Sequence, residues 1–180
     1  MITLLLGFAF ASDPVALRQV HDGSAVVDVG TDALAIAVDL GPIRLSAQYA
    51  PHANIAVHAG WGRALVGDGR LWGVDAVGAV GIAALVATPG VAVVATGEIR
   101  GGMRDTNGQA TLGMVVPVAL RVDVPAELAI PIGLELRLAA RLGPLWLGCR
   151  GQAGGTLVVS GAPAVRTAVG GFMEYRFRDD

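Results

Sequence analysis

The stretch that most constrains this chain is residues 127–142, ELAIPIGLELRLAARL. Every even position from Leu128 to Leu142 is apolar. The odd positions hold Glu127, Glu135, Arg137 and Arg141 among Ala, Pro and Gly. An extended strand turns alternate side chains to opposite faces, so period two makes one wholly oily face and one charged face. A helix would scatter the same leucines around its circumference. The alternation runs for sixteen residues, whereas strands in soluble domains average about 5–6. A tilted strand needs about 9–11 residues to cross the hydrocarbon of a bilayer.

The pattern recurs. Over 164–177, Val165, Thr167, Val169, Gly171, Met173, Tyr175 and Phe177 oppose Arg166, Ala168, Gly170, Phe172, Glu174 and Arg176. Over 109–123, the face running from Ala110 to Val122 opposes Arg121 and Asp123. Ile55, Val57, Ala59 and Trp61 alternate with Asn54, Ala56, His58 and Gly60, and Val91, Val93, Ala95 and Ile99 with Thr96, Glu98 and Arg100. A weaker version at 144–159 sets Leu145, Leu147 and Cys149 against Arg150 and Gln152. Turn residues punctuate the segments, among them Gly41-Pro42, Gly67-Asp68-Gly69, Thr88-Pro89-Gly90, Gly143-Pro144 and the polar run 101–108. The expectation is an all-β fold, an up-and-down antiparallel transmembrane β-barrel over residues 23–178. Closure follows because lipid offers no partner to an unpaired strand edge.

Nine candidate segments follow residue 33. Splitting 24–40 at Thr31-Asp32 gives ten strands, and discarding a short piece such as 43–50 gives eight. Because strand numbers in single-chain bacterial barrels are even, eight is the expected number and ten the alternative.

Composition supports the membrane reading. The chain is 53% hydrophobic and 16% charged, where soluble domains carry about 25% charge. It has 26 glycines and no lysine, so all 13 basic residues are arginines. The net charge of −2 supplies no polybasic field for nucleic acid. With 180 residues the chain is expected to form one domain. The single Cys149 reads as a small apolar residue.

The charged faces are rich in Gly and Ala, which leaves space for long side chains inside a narrow barrel. The oily faces are Leu, Val, Ile and Ala, as lipid contact permits. The charges are therefore expected inside and the leucines outside, the reverse of a soluble barrel. The expected lumen network is Arg121, Glu135, Arg137, Arg141, Arg150, Arg166, Glu174 and Arg176, with Asp123 and Glu127 nearer a rim. In a low-dielectric interior such charges must pair, which points to a lumen largely filled by arginine–carboxylate contacts. Trp61, Trp72, Trp146, Tyr49 and Tyr175 are the candidates for interface belts.

Residues 2–11, ITLLLGFAFA, form an apolar run too short for a transmembrane helix. Ala9-Phe10-Ala11 before Ser12-Asp13-Pro14 fits a secretory cleavage site, so 1–11 is read as a signal peptide and 12–22 as an N-terminal segment. No Arg or Lys precedes the run, and the alternative is a first buried strand.

The last strand, Met173-Glu174-Tyr175-Arg176-Phe177, resembles the C-terminal strand of bacterial outer-membrane β-barrel proteins of the small eight-stranded type. In that family an aromatic near the end, with another two residues before it, is the signal read by the barrel assembly machinery. Tyr175 and Phe177 occupy those places. The resemblance implies a bacterial outer-membrane location, outer-membrane lipid and the assembly machinery as partners, and a monomer or small homo-oligomer.

Catalytic constellations are wanting. Without lysine no P-loop is possible. His21, His52 and His58 are scattered, so no metal site and no cofactor is expected. Beyond Ser12 the serines are Ser24, Ser46 and Ser160; Ser160 sits near a turn with no histidine close in sequence, and Asp75 within 71–87 reads as a lumen residue, so no constellation favours catalysis and the protein is not expected to be an enzyme. Three other readings compete: a barrel enzyme with rim chemistry, a secreted soluble barrel around an apolar ligand, and an inner-membrane protein with 76–95 as its helix.

Overall fold

A computed structural model describes residues 23–51, 54–68, 71–86, 90–121, 128–158 and 164–177. They form ten strands: β1 (Ser24–Gly30), β2 (Leu34–Leu40), β3 (Ile43–Ala50), β4 (Asn54–Gly67), β5 (Trp72–Leu85), β6 (Gly90–Arg104), β7 (Gly108–Arg121), β8 (Leu128–Leu142), β9 (Leu145–Val158) and β10 (Ala164–Arg176). Each pairs antiparallel with its sequence neighbour, and β1 pairs with β10 to close the barrel. The expected eight strands are thus corrected to ten. Thr31-Asp32 does turn the chain between β1 and β2, and 43–50 is a full member of the wall. These first strands have 7, 7 and 8 residues. They fall below the membrane-crossing length by which the others stand out, and so escape a count that relies on it. Of the segment 76–95, residues 76–85 belong to β5 and 90–95 to β6, which rules out the single helix. Among the described residues no helix is long and apolar enough to cross a membrane.

The register fixes the dimensions. Partners followed from Ser24 run through Asp39, Arg44, Gly60, Ala79, Thr96, Pro117, Pro131 and Thr156 to Ala164. Ser24 itself pairs with Arg176, twelve residues further along β10. Ten strands with a stagger of twelve residues imply a tilt of about 40° and a backbone radius of about 10 Å. That interior is wide enough to hold side chains and too narrow to be empty around long ones.

Two local choices shape the wall. Gly41 and Gly143 have φ of 59° and 65°, the left-handed region glycine enters at no steric cost. Each precedes a proline and closes a two-residue hairpin, β2–β3 and β8–β9. Pro117 and Pro131 stand opposite each other, and the β7–β8 pairing lapses there, between Val115↔Gly133 and Ala119↔Ala129. Two residues without N–H groups cannot bridge to each other.

The barrel is oily outside. Leu134, Leu136 and Leu138 are 55%, 48% and 48% exposed, while Glu135 and Arg137 between them are 4% and 5% exposed. The other strands repeat this sense: Val27, Ile36, Leu45, Ile55, Val80, Val93, Leu112 and Met173 all face out. Among the described residues the apolar clusters inside are small, such as Ala56, Ala83 and Val94. Trp72, Tyr175 and Phe177 are exposed at the end of the barrel where β1 begins and β10 finishes, called here the near end.

Candidate functional site

The lumen is crossed by a belt of buried charge. Among the described residues, five arginines (Arg44, Arg100, Arg137, Arg150, Arg176) and six carboxylates (Asp28, Asp39, Asp75, Glu98, Glu135, Glu174) are buried. Alternation puts each on the inner face of its strand, and the register brings them together across the barrel.

Asp28 on β1 is the hub. It accepts from Arg137 Nη2 on β8 at 2.9 Å and from Arg150 Nε on β9 at 2.7 Å. Arg150 also donates from Nη2 to Asp32 in the β1–β2 turn at 2.7 Å. Arg137 Nε reaches Glu135 on its own strand, and Gln152 Nε2 donates to the other oxygen of Glu135. The Arg137 guanidinium lies 4.6 Å over the Phe172 ring. A Cβ at Gly148 would strike that ring, so the glycine makes room for the stack.

Three more groups complete the belt. Arg44 grips Asp39 with two bonds, 2.8 and 2.9 Å, and Ser24 Oγ donates to the same carboxylate at 3.3 Å. Arg100 sits between Asp75 at 3.6 Å and Glu98 at 3.3 Å. Arg176 pairs with Glu174 at 3.2 Å, donates to Gln109 on β7 at 3.0 Å, and lies 3.9 Å over the buried Trp146 ring at the near end. Glu98 interacts electrostatically with Arg44, Glu135 and Arg137 as well as with Arg100. The groups therefore face one another across the lumen.

Of the residues singled out from sequence, Glu135, Arg137, Arg150, Glu174 and Arg176 lie in the belt. Arg141 does not. It has the inward parity, but it is exposed at the β8–β9 turn, where its Nε donates to the Gly143 carbonyl at 3.0 Å. Arg121 and Arg166 hold register positions opposite Ala92 and Gly154; their side chains lie outside the described residues, as do Asp123 and Glu127. Tyr175 and Phe177 are exposed on the outer face, ring centroids 6.2 Å apart. Trp146 is a correction: it belongs to the lumen rather than an interface belt, because its even position on β9 faces in. Sequence reasoning misses Asp28, Asp39, Arg44 and Gln109. The first three stand on seven- and eight-residue strands whose alternation is too short to signal a face. Among the described residues these short strands add two carboxylates and one arginine to the belt.

Of the catalytic candidates, Asp75 is a lumen residue and Ser24 is buried against Asp39. His58 is buried on the inner face of β4. His21, His52 and Ser160 fall outside the described residues, as do the expected signal peptide and residues 12–22. Among the described residues no group of three or more His, Cys, Asp or Glu is placed to hold a metal ion. Cys149 is exposed on the outer face.

No protein-family model and no curated protein matches the chain. Among solved structures the chain is similar to the β domain of the Bordetella autotransporter BrkA. The identity is 16% and the TM-score 0.40, over 85% of this chain and 97% of that one.

Proposed function

We propose that the protein is a bacterial outer-membrane β-barrel of structural or weakly pore-forming type, its lumen held largely shut by the arginine–carboxylate belt, and not an enzyme. One observation carries the reading: the oily faces of a closed sheet point outward while its charges pair inside. Water would reverse that sense, and only a lipid surround favours it. The same observation disfavours a secreted barrel around an apolar ligand, whose inner face would be the oily one.

Connection lengths support an orientation. The near-end turns at 41–42, 105–107 and 143–144 have 2, 3 and 2 residues. Short turns face the periplasm in such barrels, which sets Trp72, Tyr175 and Phe177 at the periplasmic interface. Tyr175 and Phe177 would then serve as the signal for the assembly machinery. Lipid is the barrel's solvent, and it stands alone or as a small homo-oligomer.

The test is recovery of the protein from outer-membrane fractions with detergent, together with gel mobility before and after boiling. A compact, heat-modifiable band with a β-type circular dichroism spectrum is expected. A protein that stays soluble and monodisperse without detergent would overturn the proposal.

A further inference from the structure

The oily outer face carries one exception. Among the described residues of the ten strands, Arg63 on β4 is the one charged side chain at an outward-facing position. It continues the exposed series Ile55, Val57, Ala59 and Trp61, and it lies opposite Ala76 of β5. Among the described residues no hydrogen bond, ion pair or ring contact engages it. Asp68, in the turn after β4, accepts instead from the Leu71 and Trp72 N–H groups through Oδ1 at 2.8 and 3.0 Å.

The depth of Arg63 follows from the register. Three strand-to-strand steps lead from Ser24 through Asp39 and Arg44 to Gly60, and Arg63 lies beyond Gly60 toward the near end. At a tilt of about 40° the climb of the steps and the descent along β4 nearly cancel, which puts Arg63 within about 3 Å of the level of Tyr175. Interfacial aromatics mark the headgroup level. On the membrane reading above, the guanidinium therefore faces the phosphates of the periplasmic leaflet.

Beside Arg63 the wall is hollow. Val74, Ile99, Gly101, Ala110, Leu112 and Leu134 line an apolar groove of about 470 Å³ on the outer face of β5 to β8. Val74, Gly101, Leu112 and Leu136 are register neighbours across it. Gly101 leaves its floor bare, although a Cβ there would come no nearer than 3.7 Å to Val74 Cγ2; crowding does not demand this glycine. Val74 stands two residues from Ala76, so the groove opens one strand away from Arg63, and Ala76 is too small to separate them. From Val74 to Leu134 the groove rises about 14 Å along the barrel axis, close to one leaflet of a hydrocarbon layer of about 30 Å.

We propose that this face binds one anionic diacyl phospholipid of the periplasmic leaflet, with its phosphate on Arg63 and one acyl chain in the groove. The guanidinium fork matches phosphate oxygens. With no carboxylate beside it, a lipid of net negative charge neutralises it, whereas a zwitterionic lipid brings its own cation to the same place. A chain laid in the groove meets protein atoms on more sides than one lying on a flat wall, and close contact is what stabilises packing within a bilayer. A second copy of the barrel fits less well: among the described residues its outward-facing strand positions hold no carboxylate, so it would cover Arg63 without pairing it.

Native mass spectrometry of the full chain tests the proposal. The protein is refolded in phosphatidylcholine vesicles that hold equal amounts of phosphatidylglycerol, phosphatidylethanolamine and lipid A, then extracted in detergent. Heat-modifiability of every variant is checked first, so a failure here is distinct from failure of the barrel reading. The native protein should retain one phosphatidylglycerol roughly tenfold more often than either zwitterionic lipid. Arg63→Gln should abolish that preference. Gly101→Leu, which fills the groove, should lower phosphatidylglycerol occupancy severalfold. Arg141→Gln, which removes another exposed near-end arginine, should leave it unchanged. Equal retention of phosphatidylglycerol and phosphatidylethanolamine, or an unchanged preference in Arg63→Gln, overturns the proposal. So do unchanged occupancy in Gly101→Leu and an equal loss in Arg141→Gln. Stronger retention of lipid A would assign the face to the opposite leaflet, and a protein dimer that Gly101→Leu dissolves would assign it to a second copy; either result also overturns it.

Discussion

Asp28 shows what a single residue does in this lumen. It is fully buried and shared by Arg137 and Arg150. Removing it leaves two guanidinium groups facing each other in a space that has little water to screen them. Breaking a buried pair from one side costs about 3–5 kcal/mol, so Asp28→Ala should lower the urea midpoint of the refolded barrel by that equivalent. Removing the partners as well, as in D28L/R137M/R150L, should restore much of the loss, because an apolar filling leaves no uncompensated charge. A different carboxylate governs the β6–β7 turn. Asp105, fully exposed, accepts from the Asn107 N–H at 2.7 Å and from the Gly108 N–H. These backbone bonds hold its pKa below the ordinary aspartate value of 3.8. Its contribution to the turn is complete above pH 3.8 and fades as the pH falls through the lower, folded value. A pH titration of the Asp105 carboxyl carbon by NMR should give a midpoint below 3.8, with the Asn107 and Gly108 amide shifts moving in step.

At the scale of elements, the long strands are legible in the sequence because period-two alternation is local. Sixteen residues of it in 127–142 leave no other regular structure, and over 132–138 the faces read there are those of β8. The short strands are harder to read. β1 and β2 each show the pattern for only seven residues, and such a run is common by chance. The hairpins depend on glycine. At Gly143 a Cβ would meet nothing within 4 Å, yet φ is +65°, so the cost of Gly143→Ala is backbone strain alone, about 1–2 kcal/mol. Equilibrium unfolding should show that loss, and Pro144→Ala beside it should cost less.

At the scale of the whole molecule, the proposed function makes the belt the element that would set whether the barrel conducts. Its bonds run from β1 to β8 and from β10 to β7, across the opening as well as along the wall. Planar-bilayer recordings of the native protein should therefore show small, infrequent openings. D28S/R137S removes one crossing bond with both its charges, and its single-channel conductance should be severalfold larger. With six buried carboxylates against five buried arginines among the described residues, what passes should be biased toward cations. A native conductance equal to that of the double variant would mean that the belt does not obstruct the lumen.

The alternation of side-chain character, readable residue by residue, determined that the chain is made of strands, that each has one oily and one charged face, and that the two faces differ in side-chain size. These properties need only the geometry of an extended backbone. Strand number, stagger and partners are properties of closure and appear only when distant segments meet. Asp28 and Arg137 are 109 residues apart in sequence, and no local pattern announces their contact. Closure likewise sent Arg141 to the rim despite its inward parity, since the depth of a side chain depends on where its neighbours around the ring begin and end.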